Sequence, residues 1–298
     1  MSLEICILAS GSAGNCTVVR AHAEHGGEAG GVMLIDAGIG PRIAEQRMAG
    51  SGTKLADIRA ICLTHLDADH FRSSWLRFVT MNRVKVYCNA QRIGELRRRV
   101  RYVYETDPDA PVEAFCAQLV GFGDEAFEPL AGVSVRAIPF AHDEAGSHGF
   151  VVECGQRRLG WATDLGKVPE HLIDGFSDLD ILALESNYDP GMQLASARPW
   201  FLKQRIMGGR GHLSNEQALE AIRKIFQKAE AQRGKLPAHV VLLHRSRECN
   251  CPRLVRKLFS RDPRIAQRLT LAEPFSRSQW LRPPEGKLHV GEQMLLGW

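Results

Sequence analysis

Short apolar segments, rich in β-branched residues and bounded by turn residues, recur along the chain in two successive sets. Segments of this kind predict strands. The first set lies at 5–8, 16–19, 32–35, 58–63 and 84–87, and the second at 133–138, 149–153, 159–162, 179–184 and 239–243. Helical patterns lie between them. Two sets of strands with interspersed helices predict an α/β fold with two sheets in contact.

The clearest helical pattern covers about residues 215–232. Ser214 and Gln217 form a capping-box pair at its start, and Gly234 ends it. Its apolar residues recur at helical spacing, namely Ala218, Leu219, Ile222, Ile225, Phe226 and Ala229. A shorter helix is predicted at 41–49, where proline occupies the first turn.

Two regions lack a clear pattern. Residues 104–128 are irregular and acidic, which predicts an insertion or a lid. The region after residue 273 is Pro-rich. Since no linker divides the rest of the chain, the sequence predicts one domain over 1–273, followed by a tail of unknown role over 274–298.

The strongest chemical signal directly follows the apolar segment 58–63. Residues 64–70 read Thr-His-Leu-Asp-Ala-Asp-His, which places four metal-capable side chains within six residues: His65, Asp67, Asp69 and His70. Alternate side chains of a turn can point into one cavity, and two imidazoles with two carboxylates can hold two cations. The alternative is a polar turn in which Asp67 or Asp69 caps a helix starting at Phe71.

Further polar residues follow other apolar segments. They are Asp36, His142, Asp164 and His244. Strand ends gather at one edge of a sheet, so these residues are candidate members of the same site. Each, taken singly, is explained equally well as an ordinary polar residue that ends a strand.

Several loop residues are candidates for contacts with a substrate. His212 and Ser214 precede the helix at 215–232, whose N-terminus can receive a phosphate oxygen, although Ser214 also suits a plain cap. Asn187 and Tyr188 follow the segment 179–184 and are either substrate contacts or simple loop residues. The glycine-rich turn 11–15 offers backbone N–H groups to a pocket, or serves as a permissive hairpin turn.

A basic run, Arg97–Arg99 with Arg101, lies on a predicted helix. It is either a track for a nucleic-acid backbone or a solvated helix face. No aromatic residues alternate with these arginines to form a stacking surface for a single strand.

The motifs together resemble the metallo-β-lactamase superfamily, in which H-x-[H/D]-x-D-H after a strand precedes a distant His, an Asp and a final His. Four more segments are similar to the YycJ (WalJ) group of that superfamily: Leu-Ala-Ser-Gly-Ser-Ala-Gly-Asn-Cys at 8–16, Leu-Ile-Asp-Ala-Gly at 34–38, Glu-Ser-Asn-Tyr-Asp at 185–189 and Gly-His-Leu-Ser-Asn at 211–215. The resemblance covers roughly residues 5–250. It implies a four-layer αββα sandwich with metal ions at one edge of the two sheets.

The resemblance also implies a ligand set for two divalent ions. By position it assigns His65, Asp67 and His142 to the first ion, Asp69, His70 and His244 to the second, and Asp164 to a bridge between them. Asp36 would orient ligands without binding metal.

Asp67 departs from the commoner motif of the superfamily, which has histidine there. A carboxylate adds a hard oxygen ligand, which favours manganese or iron relative to an all-imidazole site without excluding zinc. The flavodiiron branch also has a carboxylate at this position, so a diiron oxidoreductase is an alternative.

Two bound cations about 3.5–4 Å apart would supply hydroxide near neutral pH and neutralise charge on a phosphate group. Asp69 is then the candidate for holding and orienting that hydroxide. The order of a Gly-His pair, a helix, a strand and His244, with Ser246 two residues later, is similar to the corresponding end of tRNase Z, a phosphodiesterase. This resemblance implies that His212 is a general acid or a phosphate ligand.

Composition sets the remaining limits. The 298 residues are 44% hydrophobic and 24% charged, which excludes a disordered chain, a collagen or a coiled coil. A formal charge of +4 permits an anionic substrate. No apolar stretch approaches a bilayer-spanning length, the N-terminus lacks the pattern of a signal peptide, and eight cysteines suit a reducing compartment, so we expect a cytoplasmic protein without membrane contact.

The expected function is hydrolysis of phosphodiester bonds by a dinuclear metal centre containing Mn, Zn or Fe. Nucleic acid, DNA or RNA, processed from an end is the first-choice substrate, and a small cyclic phosphodiester is the next. The alternatives are hydrolysis of a lactone, thioester or β-lactam bond, a diiron oxidoreductase, and a non-catalytic binding module.

Overall fold

The protein is described by a computed structural model over residues 2–22, 30–142 and 144–284. It has a mixed α/β fold with two sheets. The strands are β1 (Ser2–Ala9), β2 (Cys16–His22), β3 (Gly30–Ile35), β4 (Ile58–Cys62), β5 (Lys85–Asn89), β6 (Leu119–Phe122), β7 (Phe127–Leu130), β8 (Val133–Phe140), β9 (Ser147–Cys154), β10 (Arg157–Ala162), β11 (Ile181–Glu185), β12 (His239–Leu243) and β13 (Leu269–Leu271). The α/β class predicted from the sequence is confirmed.

Ten α-helices, with three short 3₁₀ helices besides them, accompany these strands in the described part of the chain. They are α1 (Pro41–Met48), α2 (Leu76–Asn82), α3 (Ile93–Val103), α4 (Val112–Cys116), α5 (Glu170–Gly175), α6 (Pro190–Ala195), α7 (Trp200–Met207), α8 (Asn215–Ala231), α9 (Pro252–Phe259) and α10 (Pro263–Ala266). The first sheet has the order β1-β2-β3-β4-β5-β6, and the second has the order β13-β12-β11-β10-β9-β8-β7.

One compact unit, the N-terminal unit, comprises the described residues of 1–137 and 273–280. Its first three strands pair antiparallel, whereas β3, β4, β5 and β6 pair in parallel. β3 and β4 are almost entirely apolar, as expected of parallel strands that are covered on both faces. Trp75 and Leu76 near the start of α2 and Leu96 of α3 bury their side chains in the core of this unit. The carboxyl ends of β3 and β4, where Asp36 and residues 64–70 follow, therefore lie on one edge of a rigid sheet.

The second compact unit, the C-terminal unit, comprises the described residues of 138–272 and 281–284. Here β10, β11, β12 and β13 are parallel neighbours, and β9 pairs antiparallel with β10. The apolar face of α8, with Leu219, Ile222 and Phe226, belongs to the same buried core as Leu182 and Leu184 of β11. The capping box predicted from Ser214 and Gln217 is present. Parallel pairing again brings the carboxyl ends of several strands to one edge.

The prediction of an insertion or lid over residues 104–128 is wrong. Within this region α4 packs Phe115 into the core of the N-terminal unit, and β6 adds an outer parallel strand to β5. The sequence signal is weak because β6 has only four residues, of which one is buried. A strand that short carries too little alternation to be distinguished from a loop.

The described part of the predicted tail is ordered against the fold. In the N-terminal unit the Ser278 hydroxyl accepts a hydrogen bond from the Ile7 amide (3.0 Å), and the Arg20 guanidinium lies over the Trp280 ring, 4.0 Å from its centroid. In the C-terminal unit, the Pro284 carbonyl accepts a hydrogen bond from Arg157 (2.8 Å). Residues 285–298 lie outside the described residues, and the division into a domain over 1–273 and a tail stays a prediction.

Among the described helices, none has both the length and the apolar character needed to cross a bilayer. All eight cysteines are free thiols, and seven of them are buried.

Candidate metal centre

The His-x-Asp-x-Asp-His segment forms a tight turn after β4. The Asp67 carbonyl accepts hydrogen bonds from the amides of His70 (2.8 Å) and Phe71 (2.9 Å). Phe71 forms a parallel bridge with Ala37, and the next α-helix begins only at Leu76. The alternative in which an aspartate caps a helix from Phe71 is therefore wrong, because hydrogen bonds to the strand edge hold Phe71 extended.

Both imidazoles of this turn are oriented through their Nδ1 atoms. The His70 Nδ1 lies 2.7 Å from the Asp36 Oδ2, and the His65 Nδ1 lies 3.0 Å from the Thr64 hydroxyl. That hydroxyl donates to Asp36 (3.0 Å), so it accepts from His65. Nδ1 is thus the protonated nitrogen of each ring, and Nε2 carries the lone pair that a metal ion requires.

The Nε2 atoms of the two rings face the two carboxylates of the turn. The His65 Nε2 lies 3.8 Å from the Asp67 Oδ2, and the His70 Nε2 lies 3.7 Å from the Asp69 Oδ2. The ring centroids are 4.0 Å apart. Imidazole nitrogens and carboxylate oxygens at these distances are a donor set suited to divalent cations.

Asp36 is fully buried, which raises the pKa of its carboxyl group. Its hydrogen bonds with His70 and Thr64 oppose that shift. The backbone of Asp36 is left-handed, with φ of 60°. Such a conformation is uncommon for a residue other than glycine, and it persists here because the surrounding hydrogen bonds determine it.

Asn15 and Gly38 fix the backbone of Asp69. The Asn15 amide donates to the Asp69 carbonyl (2.7 Å), and the Gly38 amide donates to the Asn15 carbonyl (2.8 Å). A Cβ atom on Gly38 would lie 1.7 Å from the Asp69 carbonyl oxygen, so only glycine allows this approach. Asn15 and Thr64 were not identified from the sequence, since their contacts appear only once the strands are paired.

The glycine-rich turn uses its own backbone groups internally. The Gly14 amide donates to the Gly11 carbonyl (2.9 Å), and the Gly11 amide donates to the Asn15 Oδ1 (2.9 Å). These internal hydrogen bonds favour the hairpin-turn interpretation over a turn that offers its backbone N–H groups to a pocket. Next to the turn, a cavity of about 810 Å³ opens beside Asp69, with Ser12, Arg72 and Arg99 in its polar lining and Leu66, Phe71, Leu96 and Val100 in its apolar lining.

The C-terminal unit gathers a second set of donors at its own strand ends. His142 follows β8, Asp164 follows β10, Glu185 ends β11 and His244 follows β12. One donor atom each from Asp164, Glu185, His212 and His244 lies within 4.8 Å of the others. The cluster has the composition and spacing of a metal site.

Glu185 is the centre of this cluster. Its Oε1 lies 2.7 Å from the His212 Nδ1 and 3.3 Å from the His244 Nδ1. Its Oε2 accepts hydrogen bonds from the amides of Leu165 (3.1 Å) and Leu213 (3.2 Å). Burial alone would raise the pKa of Glu185, but the charge and hydrogen bond of His212 outweigh burial and lower it.

The pKa of His212 shifts in the opposite direction. Burial disfavours the imidazolium, yet the charge and hydrogen bond of Glu185 outweigh burial and raise the pKa. Asp164 adds to the effect, with its Oδ1 at 3.4 Å from the His212 Nδ1.

Glu185 had no assigned role in the sequence analysis. The strand was predicted to end at residue 184, whereas β11 includes Glu185 as its last residue. The signal that identified Asp36 and Asp164, an acidic residue at the end of an apolar strand, was present for Glu185 as well.

The other donors of the C-terminal unit are held by backbone contacts. The His142 Nδ1 lies 3.0 Å from the Gly211 carbonyl, so it is a donor and Nε2 carries the lone pair. The Thr163 hydroxyl donates to the Asp164 Oδ2 (3.0 Å). Asp164 and His244, like Asp36, have left-handed backbones, with φ of 53° and 52°.

Each of the three predicted substrate contacts interacts with other residues of the protein. The Asn187 side-chain amide donates to the His244 carbonyl (2.7 Å), and the Ser214 hydroxyl accepts from the Gln217 amide as the cap of α8. Tyr188 is buried against Ile206 and Cys249, and burial raises its pKa to about 12. All three are buried, and their contact with a substrate stays a prediction.

Two of the four arginines in the basic run of α3 pair with neighbouring acids. Arg99 pairs with Glu95 at 3.0 Å, and Arg101 pairs with Glu113 at 3.0 Å. These pairs favour the solvated-face interpretation of the run.

Comparison with known proteins gives the family. The model of the β-lactamase superfamily domain matches residues 32–240, more than half of the chain. The exodeoxyribonuclease YycJ of Bacillus anthracis is 24% identical over 263 residues, covering 86% of this chain and 87% of that protein. The exodeoxyribonuclease WalJ of Streptococcus pneumoniae serotype 2 (strain D39 / NCTC 7466) is 24% identical over 248 residues, covering 83% of each.

A crystal structure of human tRNase Z, short form, has a similar fold, with a TM-score of 0.56 at 18% identity over 94% of this chain and 99% of that one. The resemblance to the YycJ (WalJ) group and the expected fold class are confirmed. The family and its candidate ligands imply divalent metal ions. The chain therefore belongs to the β-lactamase superfamily.

Proposed function

We propose that this protein is a metal-dependent phosphodiesterase that degrades nucleic acid from an end. The observation that carries the proposal is the cluster at the strand ends of the C-terminal unit. There Asp164 and His244, two candidate metal ligands, lie beside His212, whose pKa Glu185 raises. The exodeoxyribonuclease names of relatives that match more than four fifths of the chain support it. A small cyclic phosphodiester is the second substrate we consider.

We propose two divalent ions, with the ligand assignment that the resemblance implied. The oxygen donor Asp67 favours manganese or iron while still accepting zinc. Glu185 is added to the proposal as the acid that orients His212 and His244, because its Oε1 reaches both rings.

Different residues of the chain would then perform different steps of the hydrolysis. Bound divalent ions supply hydroxide near neutral pH and neutralise charge on phosphate oxygens. Asp69, whose backbone is fixed by Asn15, orients the attacking oxygen. His212 remains protonated to higher pH than an ordinary histidine, which suits donation of a proton to the leaving oxygen.

The cavity beside Asp69 is a suitable recess for a nucleotide. Arg72 gives it positive charge for a phosphate, while Phe71 and Val100 give it an apolar wall for a base. Asn187, Tyr188 and Ser214 are further predicted contacts, acting on the substrate directly or by positioning His244 and α8.

The relatives' names favour this function over hydrolysis of a lactone, thioester or β-lactam bond, over the diiron oxidoreductase and over a non-catalytic module. We also propose a cytoplasmic location, which the eight free thiols support. We propose no membrane partner.

The test is hydrolysis of bis(p-nitrophenyl) phosphate and of end-labelled single-stranded DNA with added manganese. In the double variant Asp69→Ala, His70→Ala we expect both rates to fall by about 10²- to 10⁴-fold. His22→Gln, at an exposed histidine of the same unit, is the matched control and should keep the wild-type rate. Equal rates in the wild type and the double variant would refute the proposal.

A further inference from the structure

The segment that leads from β11 to His212 has an unusual surface. Residues 190–212 contain four cations and no acidic residue. Within it, the side chains of Trp200 and Phe201 on α7 are 62% and 71% exposed, and Leu194 on α6 is 50% exposed. The exposure of two adjacent aromatic side chains to water is energetically unfavourable, so these side chains indicate a binding role.

The two helices that carry these side chains are in contact. The Lys203 ammonium on α7 donates to the Leu194 carbonyl on α6 (2.6 Å), which brings Leu194 next to the outer side of α7. The inner side of α7 is buried through Ile206 against Tyr188 and Cys249. Trp200 and Phe201 therefore stand on a fixed helix.

Aromatic and basic residues alternate on α7. Lys203 lies three positions after Trp200, and Arg205 lies four positions after Phe201, so each ring has a cation about one helical turn away. Arg210 is exposed just beyond the helix. This pattern combines faces on which bases stack with cations that contact phosphates.

α7 is coupled to the candidate acid. The His212 amide donates to the Ile206 carbonyl (3.0 Å). A Cβ atom on Gly211 would lie 2.5 Å from the Arg205 carbonyl oxygen, so the connecting turn packs tightly against the end of the helix. Eight helical residues span about 12 Å, so a strand of a few nucleotides reaches from Trp200 to His212.

We propose that α7 is a stacking platform for single-stranded DNA, on which Trp200 and Phe201 stack bases while Lys203, Arg205 and Arg210 contact backbone phosphates. This rests on the proposed nuclease function. The platform would hold the strand whose end is being cleaved. It gives affinity without base sequence preference, because every base offers a π face.

The test measures the binding of a fluorescein-labelled, phosphorothioate-linked 12-mer oligothymidylate to the metal-loaded protein by fluorescence anisotropy. In Trp200→Ala, Phe201→Ala the Kd should rise about tenfold or more. The same rise is expected for Trp200→Leu, Phe201→Leu, which keeps apolar area but removes the flat rings. Phe275→Ala, at an exposed aromatic residue of the other unit, is the control and should bind as the wild type does.

The phosphate contacts have their own readout. In Arg205→Gln, Arg210→Gln the slope of log affinity against log salt concentration should become less steep by about 1.4 for two lost contacts. An unchanged slope would overturn the assignment of the arginines.

Three results would overturn the platform itself: unchanged oligothymidylate binding in the aromatic variants, an equal loss in Phe275→Ala, or tighter binding of oligouridylate than of oligothymidylate. A change of molecular mass in light scattering, with unchanged DNA binding, would instead identify the surface as a contact between copies of this chain. If the wild type hydrolyses neither bis(p-nitrophenyl) phosphate nor DNA, the proposed function fails, whatever the binding shows.

Discussion

Asp36 in the N-terminal unit and Glu185 in the C-terminal unit hold similar positions with opposite electrostatic outcomes. Each is a buried acid at the carboxyl end of a parallel strand, 2.7 Å from the Nδ1 of a histidine. Asp36 contacts one imidazole together with the hydroxyl and the backbone amide of Thr64, and burial prevails, so its pKa is raised. Glu185 contacts two imidazoles and two backbone amides, and its pKa is lowered.

Burial alone therefore does not set the charge of such an acid. At Glu185 the charge and hydrogen bond of His212, with a further hydrogen bond from His244, reverse the shift that desolvation causes. Both acids fix an imidazole ring through a hydrogen bond at Nδ1. This leaves the Nε2 of His70 as a candidate metal ligand and the Nε2 of His212 as the candidate proton donor.

The largest effect is expected when either acid loses its charge. Asp36→Asn and Glu185→Gln should each weaken Mn²⁺ binding by about 10- to 100-fold, since the oriented histidines lose their anionic partner. Isothermal titration of the metal-free protein with Mn²⁺ measures this. Glu220→Gln, at an exposed acid of α8, should leave affinity unchanged. If Glu185→Gln binds Mn²⁺ with wild-type affinity, Glu185, unlike Asp36, does not support the metal site.

An effect of similar size, on folding instead of metal binding, is expected at the glycines that support each unit's donors. Gly38→Ala and Gly211→Ala each force a Cβ atom onto backbone, at 1.7 Å and 2.5 Å. We expect the free energy of unfolding to fall by about 1–3 kcal/mol, more for Gly38. Gly40→Ala, whose Cβ would meet only the Ser74 hydroxyl at 3.4 Å, is the control for urea unfolding. Equal midpoints for Gly38→Ala and Gly40→Ala would contradict the steric argument.

The smallest effect concerns paired carboxylates far from the donors. Hydrogen bonds from Arg264 lower the pKa of Asp262, and a hydrogen bond from Arg92 lowers that of Glu95. A lowered folded-state pKa gives stability that is present above the unfolded pKa and is lost as pH falls through the folded value. Asp262→Asn should therefore cost about 0.5–1 kcal/mol at neutral pH, and the difference from wild type should vanish below the usual carboxyl range near about pH 4.

Glu95→Gln should cost less, about 0.3–0.5 kcal/mol, because its side chain is 28% exposed whereas that of Asp262 is 7% exposed. Urea unfolding at pH 7 and pH 3 measures both differences. A cost for Asp262→Asn that grows towards low pH would reverse the assigned direction of its pKa shift.

The local pattern predicted much of the fold. All ten predicted strands and the predicted helices at 41–49 and 215–232 are present, with ends shifted by a few residues, and the predicted helix that carries the basic run is α3. α8 was predicted nearly to its bounds because its capping box and apolar face lie within one segment. β6, β7 and β13 were missed because strands of three or four residues give almost no periodicity.

The residues of the candidate site were likewise predicted only in part. The turn at 64–70 is contiguous in the sequence, so its four candidate ligands were found together. Thr64, Asn15 and Glu185 were missed as supporting residues, since their partners lie far away in sequence. His212, for example, is 27 residues from Glu185, and Asn15 is 55 residues from His70.

The sequence by itself determined the strands, the capped helix, the candidate ligands and the family resemblance, because periodicity, caps and motifs are written over a few neighbouring residues. Only the tertiary structure decided which acid holds which imidazole, which pKa rises and which falls, and which aromatic side chains stay exposed. Those properties depend on strand order and on the burial it produces, and no short segment contains that information.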